Sequence, residues 1–338
     1  MNSLAEKTSD RYMQGRRLVA PLMGFPGALL IETTIKICQQ NHQAHFRAMR
    51  ALVERFEPDF IFPMMDLSVE ANALGLLTLF PENDSPTVQP SADLELFLKR
   101  ISAIDITSDS RALSYMETIR LVRTNLPQAT AIGAYVSGPF TLAGQILDVS
   151  AAVLAAITDT EKLHLLIKAI LPVILEYAQM QIKAGADMLC ILEPSGALLS
   201  PNQFKDFSAN YVRSIVELTD KLGVDSIYHV CGNTMHLYHE MAASGVSALS
   251  LDSREAGVDL AQVAADLEQN IVLIGNLNPT GNLLHGTALE VSMETQALLA
   301  EMNDFPNFIL SSGCDLPKDT PLENIAALME NGKNYHIE

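Results

Sequence analysis

Residues 187–195 read Asp-Met-Leu-Cys-Ile-Leu-Glu-Pro-Ser, an uninterrupted apolar run closed by a carboxylate, a proline and a hydroxyl. A strand buried on both faces reads this way, because a parallel sheet covered by helices has no wet side to impose alternation. Seven further runs share the form: Leu18–Met23, Asp59–Met65, Ala131–Ser137, Ser226–Cys231, Val246–Leu251, Ile271–Gly275 and Phe308–Ser312. Between them lie longer helical patterns. Two are Asp159–Ala184 and Pro201–Leu222, the latter opening on a Ser200-Pro201 pair suited to an N-cap and first helical position. Eight βα units close a parallel barrel, so the expected fold is an α/β (β/α)8 TIM barrel. A doubly wound open sheet is the competitor, but no G-x-G-x-x-G follows the first run to mark a dinucleotide site.

The chain has 338 residues, 48% hydrophobic and 18% charged, a balance that excludes disorder. Single α/β barrels reach about 250 residues and more with insertions, so one domain over residues 1–338 is expected. Residues up to Arg17 are expected to form a helical extension outside the barrel. The long gap from Asp66 to Thr130 places insertions in the first half, with Pro81–Ser91 as a loop near the barrel mouth.

Lys and Arg number 22 against 40 Asp and Glu, a net charge of −18 that repels phosphate backbones and anionic lipid. Nucleic acid is not an expected partner. The first residues mix both charges without an apolar segment, unlike a signal or transit peptide. The most apolar long stretch, Leu165–Ile182, contains Lys168, Glu176 and Pro172, so no membrane span is expected and the expected location is cytoplasmic. Four scattered cysteines, Cys38, Cys190, Cys231 and Cys314, make no disulfide framework.

Barrel enzymes carry their chemistry at the C-terminal ends of the strands. There the runs deliver Asp66, Ser137, Glu193, His229 with Cys231 and Asn233, Asp252, Asn276, and Cys314 with Asp315. His229 and Cys231 are two apart and so share one face of a strand, and Cys314 ends a run that opens on the same mouth. One imidazole and two thiolates suit zinc, and three protein ligands leave a fourth position open for catalysis. Two thiolates also soften the metal, which then suits binding a thiol as thiolate better than activating water. Zinc dehydrogenases share this donor set but need a nicotinamide site. Cys190 and Cys38 read as core or helix residues, and His236 and His239 as a solvated helix face. Glu193 and Asp252 have three open readings: fourth ligand, proton acceptor, or helix cap.

Several segments together resemble the uroporphyrinogen decarboxylase superfamily. They are Gly138-Pro139-Phe140-Thr141-Leu142-Ala143-Gly144, Leu199-Ser200-Pro201 with Phe204, Gly275-Asn276-Leu277-Asn278-Pro279, and Thr320-Pro321-Leu322-Glu323-Asn324-Ile325. His229-Val230-Cys231-Gly232-Asn233 and Ser312-Gly313-Cys314-Asp315 resemble its corrinoid-dependent methyltransferase branch, which includes methylcobamide:coenzyme M methyltransferases. The resemblance implies a zinc site at His229, Cys231 and Cys314. It further implies a methylcobamide on a separate corrinoid-binding protein, and a small thiol such as coenzyme M as acceptor. Catalytic roles are assigned to Glu193 and Asp252, and substrate-binding roles to Asp66, Ser137, Asn233 and Asn276. Asp66 resembles the aspartate that faces the pyrrole nitrogens in the decarboxylases. Decarboxylation of uroporphyrinogen is the alternative, but the decarboxylase R-x-A-G-R segment is replaced by Met23-Gly24-Phe25-Pro26-Gly27-Ala28. A substrate with eight carboxylates needs cations that this stretch lacks. Cys314 also stands where the decarboxylases have a histidine.

Overall fold

The structure is a computed structural model and describes residues 3–101 and 103–337. Among these residues the strands are β1 (Phe60–Ile61), β2 (Thr78–Leu79), β3 (Thr87–Val88), β4 (Ala131–Ser137), β5 (Met188–Leu192), β6 (Asp225–Val230), β7 (Ala248–Leu251), β8 (Val272–Leu277) and β9 (Phe308–Ser312). Seven make one parallel sheet in the order β1-β4-β5-β6-β7-β8-β9. Its two edges meet through Val19, which forms a parallel bridge to Leu310. On the other side its carbonyl accepts from Asp59 N at 3.1 Å. The expected first strand, Leu18–Met23, is thus reduced to a single bridge. Pro21 has no N–H to continue the ladder, and Pro63 likewise limits β1 to two residues. The closed (β/α)8 architecture of the sequence reading holds, with two thinner staves than expected.

Register aligns the inward-facing side chains in layers. Tyr135, Cys190, Ile227, Ala248 and Val272 are successive cross-strand partners and lie in one apolar cluster. One layer higher, Ser137, Leu192, His229, Ser250 and Ile274 are partners in the same way. Leu4, from the N-terminal helix Leu4–Met13, joins the lower cluster. Its backbone N–H donates to Asp225 at the start of β6, 2.9 Å away, so the extension closes the floor of the barrel.

The helix Thr160–Ala184 is long and apolar enough to cross a membrane by composition, which the interrupted pattern at Lys168 and Glu176 had argued against. Leu163, Ile167, Ile170 and Ile174 along it are fully buried in the protein core, which accounts for its apolarity. The expected Pro201–Leu222 helix contains a wider π turn at Lys205–Ala209, which turns Ser208 inward. The expected loop Pro81–Ser91 carries β3, which pairs with β2 as a hairpin. Its tip is held by Lys36 on Glu82 at 3.0 Å and by Lys318 on Asn83 at 2.6 Å.

Two predictions follow from how the staves are joined. Asp59 Oδ2 accepts from Val19 N at 2.7 Å at the closing seam. Asp59→Ala leaves that N–H without its partner and should cost about 1–3 kcal/mol in denaturant unfolding, with Asp59→Asn costing less. His45, 1% exposed, accepts from Met64 N through Nε2 at 2.9 Å. Burial pulls its pKa from 6.5 down to about 4, against the pull of Asp66. Below pH 6.5 the unfolded chain therefore takes up a proton that the folded chain refuses until about pH 4. Stability should fall by about 3 kcal/mol across that window, and His45→Gln should flatten that part of the pH–melting curve.

Candidate metal centre

Strand β6 carries Ile227 and His229 on its inner face, and the same alternation points Cys231 inward just past its end. His229 is fully buried, whereas Cys231 and Cys314 are partly exposed, so the group is closed from below and open toward the mouth. His229 Nε2 lies 3.1 Å from Cys231 Sγ. The two sulfurs are 3.3 Å apart across 83 positions of sequence, and Cys314 Sγ lies 3.6 Å from His229 Nε2. A tetrahedral zinc with Zn–S of about 2.3 Å and Zn–N of about 2.0–2.1 Å sets its donors roughly 3.6–3.8 Å apart. One edge of the observed triangle already fits, and the other two need to open by about half an ångström.

Backbone turns make this convergence possible. Gly232, at φ +84°, lets the chain turn away immediately after Cys231. A Cβ on Gly313 would lie 2.6 Å from Ser253 N, so only glycine lets the Cys314 loop approach the end of β7. His229 Nδ1 is 3.0 Å from Ser250 Oγ on the neighbouring strand. A donated Nδ1–H leaves Nε2 as a lone-pair donor toward the sulfurs.

The three side chains shift one another's protonation. The hydrogen bond from Cys231, then burial, push the Cys314 thiol well above its ordinary range, against the pull of His229. Burial lowers the His229 pKa, but the hydrogen bond and charge of Cys314, with Asp252 and Ser250 behind, outweigh it and leave it raised. A bound divalent cation reverses this protonation, because coordinated thiols lose their protons.

The other sequence candidates fall into two groups. Asp252 and Asn276 join the cluster's supporting frame. Asp252 accepts from Gly232 N at 2.7 Å and from Ser253 N at 2.6 Å, and its own carbonyl accepts from Asn276 Nδ2 at 3.0 Å. The remaining four are engaged elsewhere. Glu193 is fully buried and accepts from Phe140 N at 3.1 Å, Thr141 N at 2.5 Å and the Ser208 hydroxyl. It serves as the N-terminal cap of the helix Pro139–Leu147, whose own N-cap, Gly138, has no side chain to do so. Of the three readings, capping is the one these contacts match. Ser137 donates to Glu70 Oε2 at 3.0 Å, and burial raises this Glu70 carboxyl to about 7. Asp66 accepts from Arg111, from Tyr115 at 2.8 Å and from the Ser68 hydroxyl at 2.6 Å. Asn233 is exposed and caps its own turn through Met235 N at 3.1 Å. Ser250, Glu70 and Arg111 were not singled out from sequence. Ser250 lies two positions before Asp252, so the strand alternation that found Cys231 reaches it as well.

Comparison with known proteins adds a family. A family model described as uroporphyrinogen decarboxylase (URO-D) matches residues 22–335. The chain is 28% identical over 230 residues to the methylcobamide:CoM methyltransferase MtbA of Methanosarcina acetivorans, covering 68% of this chain and 65% of that protein. It is 31% identical over 161 residues to the protein of that name in Methanosarcina mazei, covering 47% and 45%. The match thus spans less than two thirds of either methanogen protein. A uroporphyrinogen decarboxylase of Legionella pneumophila is 28% identical over 298 residues, covering 84% and 82%. Among solved structures, a methyltransferase from Methanosarcina mazei shares the fold, with a TM-score of 0.84 at 21% identity over 98% of each chain.

The Ser250 contact is testable by itself. Ser250→Ala should leave the fold intact and weaken zinc binding about 10- to 100-fold, the usual effect of losing a ligand's outer partner. Competition with a chromophoric chelator measures it.

Proposed function

The chain belongs to the uroporphyrinogen decarboxylase family, and from that premise we propose that it is a zinc-dependent methyltransferase moving a methyl group between a partner-borne corrinoid and a small thiol. The observation that carries the proposal is the triangle of His229 Nε2, Cys231 Sγ and Cys314 Sγ, with edges of 3.1, 3.3 and 3.6 Å. His229, Cys231 and Cys314 would hold the metal. When bound there, zinc supplies the Lewis acidity that keeps an acceptor thiol as thiolate, while two cysteine sulfurs leave that thiolate electron-rich.

The chain's own residues prepare the site. Ser250 holds the imidazole edge-on to the sulfurs, Asp252 fixes the Gly232 turn behind Cys231, and Asn276 secures Asp252's backbone. Partial exposure of Cys231 and Cys314 leaves the approach open from the strand C-terminal face, where a separate corrinoid-binding protein would dock. In the overall reaction an S–CH3 bond forms as the Co–C bond breaks, its electron pair stays with the cobalt, and the thiol proton passes to solvent. Four free cysteines suit a reducing cytoplasm.

Decarboxylation fits these residues poorly. Residues 23–28 have no arginine, Asp66 is saturated, and Arg111 at the mouth is already paired with Asp66. The test is purified protein assayed for metal and for methylcobalamin-to-coenzyme M transfer. Zinc near one equivalent is expected, with activity lost in Cys231→Ser and in Cys314→Ser. Metal-free protein, or full activity in both variants, contradicts the proposal.

A further inference from the structure

Cys231 and Cys314 stand 83 positions apart in sequence, yet their sulfurs lie 3.3 Å from each other. A disulfide bond is about 2.0 Å long, so the two atoms need to close by roughly 1.3 Å to bond. Each cysteine has one side-chain torsion, and turning it moves the sulfur without moving the backbone. The turn after Cys231 also has open space around it, since a Cβ placed on Gly232 would meet only Ala197 Cβ, at 3.9 Å. Cys314 is the anchored partner. Asp315 beside it accepts from Gly24 N at 3.0 Å and Met65 N at 3.2 Å, and Gly313 on its other side packs against Ser253 N.

Access separates this pair from the other cysteines. Cys231 and Cys314 are partly exposed, whereas Cys38 and Cys190 are buried. Oxidants reach thiols at the surface and spare those in the core. The two sulfurs that an oxidant can reach are thus the two that already face each other.

We propose that Cys231 and Cys314 form a redox pair, which a peroxide closes into a disulfide when the metal is absent and which then cannot take the metal up. One thiol is oxidised to a sulfenic acid as the peroxide O–O bond breaks and a water leaves. The other sulfur then displaces the sulfenic oxygen, the S–S bond forms, and a second water carries away the remaining thiol hydrogen. Two electrons and two hydrogens pass from the pair to one peroxide. A disulfide sulfur is neutral, whereas the metal takes thiolates, so closure removes two of the three donors and leaves His229 by itself. This rests on the metal-centre reading above and deepens it, because occupancy of the centre then depends on redox state. In a reducing compartment such a bond is transient and reports an oxidant.

The test uses the whole purified chain, one portion reduced and stripped with a chelator and another loaded with zinc, each treated with hydrogen peroxide. In the stripped portion two of the four thiols should disappear. The intact mass should fall by two hydrogens, and a digest made without reductant should contain a fragment joining Cys231 to Cys314. Zinc uptake should be lost until a dithiol restores it. The zinc-loaded portion should lose its thiols more slowly, and Cys314→Ser should gain oxygen at Cys231 instead of losing hydrogen. Unchanged thiols in the stripped parent, oxygen added to it without a crosslink, a disulfide between other cysteines, or equal rates with and without zinc overturn the redox pair alone. Failure of the reduced parent to bind zinc, or undiminished zinc binding by the closed pair, overturns the metal centre and the redox pair together.

Discussion

The 3.3 Å approach of Cys231 and Cys314 depends on the height at which two strands end. β6 and β9 are separated in the sheet by β7 and β8, and register sets them level: Ile227 to Ala248 to Val272 on one layer, His229 to Ser250 to Ile274 to Ile309 on the next. A slip of one residue in the pairing of β6 with β5 or β7 would turn His229 out of the barrel and bring a neighbour in its place. The Gly313 approach to Ser253 then completes a triangle that neither strand could form by itself. Strand register and the convergence of the three side chains are therefore one constraint.

Much of this was legible in sequence because parallel strands covered on both faces have a simple signature. Ala131–Ser137 and Phe308–Ser312 appear with the boundaries their apolar runs suggest. The thin staves lie where composition and hydrogen bonding part: Leu18–Met23 is apolar enough for a strand, but Pro21 cannot donate to one. The convergence of His229, Cys231 and Cys314 on one mouth is legible from residue type and two-residue spacing, and the comparisons agree on the family.

What stayed hidden depends on partners far away in the chain. Nothing near Glu193 says that its carboxylate will cap a helix beginning at Pro139, or that the π turn at Lys205–Ala209 will bring Ser208 onto it. Arg111 reaches Asp66 from a helix 45 positions on, a pairing no local pattern announces. Ser250 is within reach of the alternation rule, since it lies two residues before Asp252 on the same face.

The proposed function needs His229, Cys231 and Cys314 to hold a metal that leaves one position open to a thiol. Zinc K-edge absorption on the purified protein, before and after adding coenzyme M, tests this most directly. The account predicts two sulfurs at about 2.3 Å with nitrogen or oxygen completing the shell, and a third sulfur once the thiol is present. A first shell without sulfur, or one that the thiol leaves unaltered, would contradict it.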